Sequence, residues 1–416
     1  MGVAAVAIVK YDQTSDSLRR AIELADGFSG LKSTDKVLIK PNIALGMTPK
    51  VRPDGILTST VIVEQLIGLL REYGCTDISI GEGPAIIPEV RKEWRSADWA
   101  FEWSDFRELA ERVGVKLLDL NKGGKASFVP YSVEELEPTS GVDVELVRDR
   151  KFMVSKLVVE EADFFINVPV LKTHRQGVIT LGLKNLKGCI YNDSKRASHV
   201  FGLHRAIAVL GKRIRNDLVI IDGTYGLERG PIPTTGRDLQ RFDLVIVSKD
   251  ILACDMVGSA IMGIDPKLVP QLQEFARMTG RSLDLNEVDV KGEKIENVSK
   301  KLEWEYKWSN QPSWHEIKGI TFQDPGESVC TACGMTVYMA MERFFGENKG
   351  ATFADVELCV GPGPAAKKDS KKVLLFGDCA NIANKQRDDA IRLRGCPPTI
   401  EKAYQLLADN LVNVSG

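Results

Sequence analysis

The stretch Ala162–Ile190, ADFFINVPVLKTHRQGVITLGLKNLKGCI, decides the fold, because an apolar run ends abruptly in cations, amides and a histidine. Residues Phe164–Val170 are apolar apart from Asn167, which predicts a buried strand. Apolar residues then recur at roughly helical spacing from Val178 to Leu186, which indicates a helix. Ligands of open α/β sheets bind beyond the carboxyl ends of strands, so this stretch predicts the centre of an active site.

Strand-like and helix-like segments alternate through the first 265 residues. This alternation is typical of βαβ units and predicts an α/β fold, with a mostly parallel sheet and helices on both faces. The predicted strands besides Phe164–Val170 are Val3–Val9, Lys36–Lys40, Asp77–Gly81, Val115–Leu120, Leu218–Asp222 and Leu244–Ser248. We expect an α/β core domain with a substrate cleft at 1–265, an irregular linker at 266–325 and a smaller α/β cysteine-cluster domain at 326–416.

The residues after the central strand form a candidate catalytic set. Lys172, His174, Lys184 and Asn185 lie close to apolar residues, and His199 is expected in a loop that reaches the same rim. Lysine supplies a point charge for a carboxylate or phosphate, and histidine supplies an acid or base near neutral pH. The alternative is that these cations are solvated surface charges, which is the interpretation favoured for Arg175 and Lys187.

Further polar residues follow other predicted strands and are expected at the same rim. Lys40 and Asn42 follow the second strand, Glu82 the third and Asp222 a later one, while Asp255 lies in an otherwise apolar helix. These five form the candidate substrate-binding set. Asp250 is interpreted as a helix start, where an acid favours exposed N–H groups.

Charge and hydropathy exclude several classes of partner. The 416 residues include 55 basic and 57 acidic side chains that are well mixed, so no basic face is expected for nucleic acid or an anionic membrane. The apolar run at the N-terminus is too short to cross a bilayer, and we interpret it as the first strand of a cytoplasmic protein. A small anionic molecule or a protein is the expected partner. Trp94, Trp99 and Trp103 indicate local core or a contact between subunits of a homo-oligomer.

Five of the eight cysteines fall after residue 329. Cys330 and Cys333 form a CTAC motif, Cys379 follows a short apolar strand in GDCA, and Cys396 precedes a helix in RGCPP. Thiolates brought together from strand ends and helix starts suit an iron–sulfur cluster, and four cysteines suit a structural zinc equally well. Cys359 is a spare that can replace one ligand, whereas Cys75, Cys189 and Cys254 are interpreted as core residues.

The central motifs resemble a known family. NVPVLKTH and TLGLKNLKG are similar to the family catalogued as domain of unknown function 362. So are the LIKPN of Leu38–Asn42, the GEGP of Gly81–Pro84, the IIDGTYGLERGP of Ile220–Pro231 and the FDLVIVSKDILACDMVGSAIMG of Phe242–Gly263. The family often occurs joined to iron–sulfur modules and has no settled reaction, so the resemblance implies a family more firmly than an activity.

The cysteine motifs carry a second resemblance. Their order, CxxC, then GxCA after a strand, then GCPP before a helix, resembles the small subunit of nickel–iron hydrogenases and the related subunit of respiratory complex I. That resemblance implies a [4Fe–4S] cluster held by Cys330, Cys333, Cys379 and Cys396. The sequence departs from the pattern after GxCA, where a glycine-rich continuation is replaced by NIANKQRD.

Three functions remain open from the sequence. The first is an oxidoreductase in which the cluster relays electrons, with an electron-transfer protein as a further partner, to a small anion in the cleft. The second is a lyase or hydratase in which a cluster iron acts as Lewis acid. The third is a non-enzymatic metabolite-binding protein with a structural cluster or zinc.

Overall fold

The computed structural model describes residues 3–43, 55–90, 92, 96–133, 136, 151–231, 238–304, 311–323, 328–363 and 365–414. Within these ranges the chain forms a ten-stranded sheet, a four-stranded sheet and a separate pair of strands, with helices between them. The α/β prediction is confirmed.

The elements are numbered in chain order. The strands are β1 Ala4–Lys10, β2 Val37–Pro41, β3 Ile78–Glu82, β4 Lys116–Asp119, β5 Phe128–Ser132, β6 Lys151–Ser155, β7 Phe164–Val168, β8 Val170–His174, β9 Val178–Thr180, β10 Leu218–Leu227, β11 Leu239–Ser248, β12 Val288–Gly292, β13 Lys318–Gln323, β14 Thr352–Val360, β15 Lys372–Phe376 and β16 Ile391–Leu393. The helices are α1 Ser15–Leu24, α2 Thr60–Glu72, α3 Ala97–Trp103, α4 Phe106–Val113, α5 Lys156–Val159, α6 Gly182–Asn185, α7 Asn192–Val200, α8 Leu203–Arg213, α9 Ile251–Ile261, α10 Pro270–Thr279, α11 Ile295–Val298, α12 Thr331–Glu347, α13 Gly377–Ala383 and α14 Ile400–Asn410.

The large sheet has the strand order β12-β1-β11-β10-β7-β2-β3-β4, with β8 paired to β10 and β9 paired to β8. The run from β10 through β7, β2 and β3 to β4 is parallel, and β11 lies antiparallel to both β1 and β10. The carboxyl ends of the parallel strands therefore lie at one edge, where polar side chains were predicted to meet.

Apolar side chains cover both faces of this sheet. Ile8 and Leu38 belong to the core on one face, whereas Val9 and Ile39 belong to the core on the other. Successive residues of a strand point to opposite faces, so strands that are apolar throughout must be covered twice. Helices on both faces, as predicted, provide that cover.

The smaller sheet has the order β13-β14-β15-β16, and every pair in it is parallel. Leu358 and Leu374 face the core shared with α12 and α14, while Cys359 and Leu375 face the opposite side. Cys379 and Cys396 lie just beyond the carboxyl ends of β15 and β16.

The chain departs from the predicted elements after β7. The helix expected from Val178 to Leu186 is wrong in its first half, because β8 and β9 form an antiparallel hairpin before the short helix α6. Val178 has a φ of +60°, a left-handed conformation that β-branched residues rarely adopt. Backbone pairing thus overrides an apolar spacing that suits a helix equally well.

The segment predicted to be an irregular linker contains the regular elements α10, β12, α11 and β13. Between 266 and 304, α10 packs on α8 and β12 extends the large sheet beside β1. The sequence also predicts a short strand at Trp304–Trp308 and a lid in the acidic region that follows Leu120 and ends at Asp149; residues 305–310 and 137–150 lie outside the described residues. The division into domains stays a prediction.

Candidate functional site

A buried ion pair lies at the carboxyl ends of β2 and β3. Lys40 Nζ lies 2.9 Å from Glu82 Oε1, and the side chains are 0% and 2% exposed. The two Glu82 oxygens also accept from the backbone N–H groups of Ile43, at 2.7 Å, and Gly83, at 2.8 Å. Buried charges are stable only when paired and hydrogen-bonded, and both conditions hold here.

Three amide and lysine side chains extend this pair. Asn185 Oδ1 accepts from Lys40 Nζ at 3.2 Å and from Asn42 Nδ2 at 2.9 Å. Lys172 Nζ donates to Asn42 Oδ1 and to the carbonyl of Ile56, each at 2.7 Å. We call Lys40, Asn42, Glu82, Lys172 and Asn185 the inner network. These residues come from the ends of β2 and β3, from β8 and from α6, so the structure brings the predicted positions together at one rim.

Gly188, which ends the KNLKG motif, allows the backbone to approach the ion pair. A Cβ placed on this glycine would lie 2.6 Å from Lys40 Nζ. Any larger residue would therefore displace the Lys40 side chain.

Two predicted substrate-binding acids contact backbone groups in this structure. Asp222 accepts from the N–H of Ser59 at 2.7 Å, and Asp255 accepts from the N–H groups of Gly182 and Leu183 at 2.7 and 2.9 Å. Burial raises the pKa of Asp255 to about 7, against the opposing effect of these two hydrogen bonds. Asp255 thus holds the first turn of α6, which carries Lys184 and Asn185. Direct contact of either acid with substrate stays a prediction.

The two predicted histidines occupy different elements. His174 ends β8, and its Nδ1 accepts from the backbone N–H groups of Gln176 and Gly177 at 3.0 and 3.2 Å. Burial, reinforced by nearby lysines, holds the pKa of His174 well below its usual value. His199 lies in the last turn of α7, so its prediction in a loop is wrong, but its Nε2 lies 2.9 Å from Lys187 Nζ.

Three half-buried lysines complete a cationic pocket beside the inner network: Lys184, Lys187 and Lys195. Burial lowers the pKa of Lys184 to about 8 and that of Lys195 to about 7, and it lowers the pKa of Lys187 well below the usual value. Burial and Lys184 likewise lower the pKa of Lys172 to about 7. Burial thus disfavours the charged form of these lysines, and a bound anion would favour it, a combination typical of functional sites.

Cys330 is poised as a thiolate at the N-terminus of α12. A hydrogen bond from the Cys333 thiol, together with the backbone N–H groups of Cys333 and Ala332 and with Arg196, lowers the pKa of Cys330 to about 6 despite its burial. Helix N-termini favour anions, so this end of α12 is suited to a charged sulfur ligand.

The other three predicted ligands interact electrostatically with Cys330. Its negative charge contributes to raising the pKa of Cys333, Cys379 and Cys396, and burial raises all three as well. A Cβ on Gly377 would lie 3.5 Å from Cys333 Sγ, so the GDCA turn lies against the CTAC helix. We call Cys330, Cys333, Cys379 and Cys396 the cysteine group.

The described residues contain no set of three or more histidines, cysteines or acids at a spacing suited to a metal ion. The cysteine group is therefore grouped by electrostatics, and its ligation stays a prediction. Cys75, Cys189, Cys254 and Cys359 are buried apolar-core residues that belong to other clusters.

The cysteine group lies beside the cationic pocket. Gln176 Nε2 donates to the carbonyl of Val329 at 2.9 Å, one residue before Cys330, and Arg175 lies over the Tyr338 ring at 5.5 Å. The charge of Cys330 also opposes the lowering of the Lys187 pKa. The turn between β8 and β9 and the residue Lys187 thus link the two regions.

Several pocket residues were missed or misinterpreted from the sequence. Lys187 was interpreted as a surface cation, but it lies between His199 and Cys330. Its spacing of three from Lys184, which puts both on one side of a helical turn, was the available signal. Lys195 and Arg196 were also missed, since polar residues in NDSKRASH indicate an exposed helix.

Comparisons with known proteins identify the family of this chain. The model of the family described as domain of unknown function (DUF362) matches residues 37–260, more than half of the chain, so the chain belongs to that family. A thylakoid-associated protein of Synechocystis sp. is 27% identical over 272 residues, which cover 63% of this chain and 74% of that protein.

A solved structure from Thermotoga maritima matches at 12% identity with a TM-score of 0.28. The match covers 52% of each chain, so this chain spans about half the length of that protein. Among the described helices, none combines the length and the apolar character needed to traverse a bilayer.

Proposed function

We propose that this member of the domain of unknown function 362 family is an iron–sulfur oxidoreductase that acts on a small anionic molecule. One observation carries the proposal: the lysine pocket and the cysteine group adjoin where Lys187 interacts with Cys330 and where Gln176 donates to the carbonyl just before Cys330. Lys187 interacts electrostatically with both Lys184 and Cys330, so the two regions share one charged boundary.

The cysteine group fits a [4Fe–4S] cluster by its donor chemistry. Cys330 is stabilised as a thiolate at a helix N-terminus, and Cys379 lies in the first turn of another helix, α13. The raised pKa values of the other three thiols follow from burial next to a negative charge, which bound metal would compensate. When bound, such a cluster supplies one-electron transfer.

The lysine pocket provides the complementary part of the site. Lys184, Lys187 and Lys195 are positive groups with lowered pKa values, and an anion that enters would restore their charged form. Lys187 Nζ lies 2.9 Å from His199 Nε2, which places two groups of proton-exchanging chemistry next to each other in this pocket. Binding, charge compensation and proton exchange are thus functions of this chain's own residues.

The test is anaerobic purification followed by iron and sulfide analysis and a redox titration monitored by electron paramagnetic resonance. We expect about four irons and four sulfides per chain and a reversible one-electron signal. Cys330→Ala, Cys333→Ala, Cys379→Ala and Cys396→Ala should each lose the chromophore and loosen the C-terminal region. Cys359→Ala and Cys75→Ala are matched controls that should retain it.

Three outcomes would contradict the proposal. Zinc without sulfide would leave a structural metal site, and a signal perturbed directly by added substrate would favour a Lewis-acid lyase. Full cluster content in Cys396→Ala together with loss in Cys359→Ala would move the fourth ligand to β14.

A further inference from the structure

Three polar groups beside the β8–β9 hairpin have unused hydrogen-bonding capacity. Thr180 is 3% exposed, and its hydroxyl has no hydrogen-bond partner. Within the described part of the chain, His174 Nε2 and Lys184 Nζ also lack a hydrogen-bond partner. We call His174, Thr180 and Lys184 the hairpin face. Native proteins satisfy nearly all buried polar atoms, so an orphaned buried hydroxyl in a cationic pocket points to a missing ligand.

The pairing of the hairpin places these groups together. Lys172 lies opposite Thr180, and His174 lies opposite Val178. Residues directly opposite on antiparallel strands share a face, as do residues two apart on one strand, so Lys172, His174 and Thr180 point to the same side. Lys184 joins them, because a Cβ on Gly177 would lie 3.4 Å from its Cδ and Cε atoms.

His174 is fixed in one hydrogen-bonding role. Its Nδ1 accepts from the backbone N–H groups of Gln176 and Gly177, so that nitrogen carries no proton. A neutral imidazole with a bare Nδ1 carries its proton on Nε2, which is then a donor. The ring therefore presents an N–H group to the pocket and has no basic nitrogen left to offer there.

The hairpin face thus offers three donors, one of which is the lysine ammonium of Lys184. The two neighbouring lysines already use donors on other groups: Lys172 donates to Asn42 and Ile56, and Lys187 contacts His199. A carboxylate is an acceptor-only group with two oxygens and one negative charge, and it matches this set better than a doubly charged phosphate does.

We propose that the hairpin face binds the carboxylate of a small organic acid, with His174 Nε2–H, Thr180 Oγ–H and Lys184 Nζ as its donors. This assignment deepens the proposed function by naming the class of its anionic substrate, and it makes His174 a donor to the ligand instead of a base.

The test is titration calorimetry of the anaerobically purified, iron-loaded protein with malonate, acetate and inorganic phosphate. We expect malonate to bind and phosphate to bind more weakly. Loss of a hydrogen bond to a charged group weakens affinity roughly 10-fold to 100-fold, so Thr180→Val should lie near the lower limit and Lys184→Met near the upper. Thr279→Val and Lys212→Met, the same changes away from the pocket, should leave malonate affinity unaltered.

Thr180→Val also separates binding from folding. Replacing an orphaned hydroxyl by a methyl group of the same shape costs little stability, so this variant should unfold at the wild-type temperature or above it while binding malonate less tightly. A variant with unchanged affinity would overturn the role of Thr180.

Two substitutions of His174 test the donor assignment. Glutamine retains an N–H donor but neither titrates nor accepts a proton near neutral pH, so His174→Gln should keep malonate affinity within a few-fold, whereas His174→Ala should lose roughly 10-fold. Equal losses in the two variants would overturn the donor assignment, and tighter binding of phosphate than of malonate would overturn the carboxylate.

Iron and sulfide are measured on the same samples. A protein that holds the cluster but does not bind malonate would contradict this inference and leave the proposed function standing. A protein that binds malonate but holds no cluster would contradict the proposed function and leave this inference standing.

Discussion

The inner network and the hairpin face lie next to each other, yet their polar groups differ in hydrogen bonding. The polar groups of the inner network have protein partners, whereas, within the part of the chain that the structure describes, the three donors of the hairpin face do not. Lys40 has a carboxylate, an amide and a carbonyl as partners, whereas Lys184 has no hydrogen-bond partner among the described residues. Lys40 lies near the end of β2 and Lys184 on α6, and the sequence predicts both at one rim, Lys40 in the substrate-binding set and Lys184 in the catalytic set.

This difference gives a criterion for distinguishing structural residues from ligand-binding residues in a cationic pocket. A buried charge whose partners come from the protein lowers the energy of the fold, and a buried charge without them raises that energy until a ligand arrives. The protein partners that a lysine has, more than its residue type, therefore distinguish a structural lysine from a ligand-binding lysine. The predictions below challenge that distinction.

The largest effect is expected for Lys40→Met. Removing one member of a buried ion pair leaves Glu82 uncompensated and should lower the free energy of unfolding by about 3–5 kcal/mol. Urea denaturation at pH 7 measures it. The matched change Lys184→Met should cost under about 1 kcal/mol, because the charge removed has no protein partner. Equal losses in the two variants would abolish the contrast between the regions.

A smaller effect is expected for Asp255→Ala. Two buried backbone N–H groups lose their acceptor, which should lower the free energy of unfolding by about 2 kcal/mol and loosen α6. Asp250→Ala, which removes the N-cap of α9 at a more exposed position, should cost about 1 kcal/mol in the same denaturation assay. A reversed order would mean that α6 is held by other contacts.

The smallest effect concerns pH. The pKa of Lys184 is lowered to about 8 by burial, and a bound carboxylate favours the protonated form. Malonate affinity should therefore be constant below about pH 7 and fall up to about 10-fold per unit above pH 8, with proton uptake on binding. Lys172, His174 and Lys187 face the same space and also carry titratable groups. Proton uptake on malonate binding is therefore measured by calorimetry in two buffers for the wild type and for Lys184→Met, and the difference is the contribution of Lys184. Unchanged proton uptake in that variant would assign it to another lysine.

The rim could be predicted from sequence because it depends on strand order and strand ends. Lys40, Asn42 and Lys172 lie at or just after the ends of predicted strands, and hydrogen bonds join them to one another and to Asn185 of the following segment, as the strand-end rule requires. The alternating apolar segments also fixed the α/β class. The local sequence pattern is sufficient to predict both the rim and the fold class, because each strand or helix is specified by its own residues.

The hairpin face could not be predicted, because its signals are not local. Val178, Leu181 and Leu183 suit a helix as well as a hairpin, and only pairing with β8 decides between them. Thr180 in an apolar run is an ordinary strand residue by type, and its orphaned hydroxyl becomes visible only in three dimensions. His199 was placed in a loop because polar neighbours mask the helix that carries it.

Gln176 connects the hairpin face to the residue before Cys330 through two hydrogen bonds. Its backbone N–H holds the His174 ring, while its side chain holds the carbonyl that precedes Cys330. A ligand that shifts this turn changes the surroundings of the sulfur, and coupling free energies are reciprocal, so a change of charge at the sulfur alters ligand affinity equally. Under the proposed function, this one glutamine would couple ligand occupancy of the hairpin face to the electron affinity of a cluster on the cysteine group.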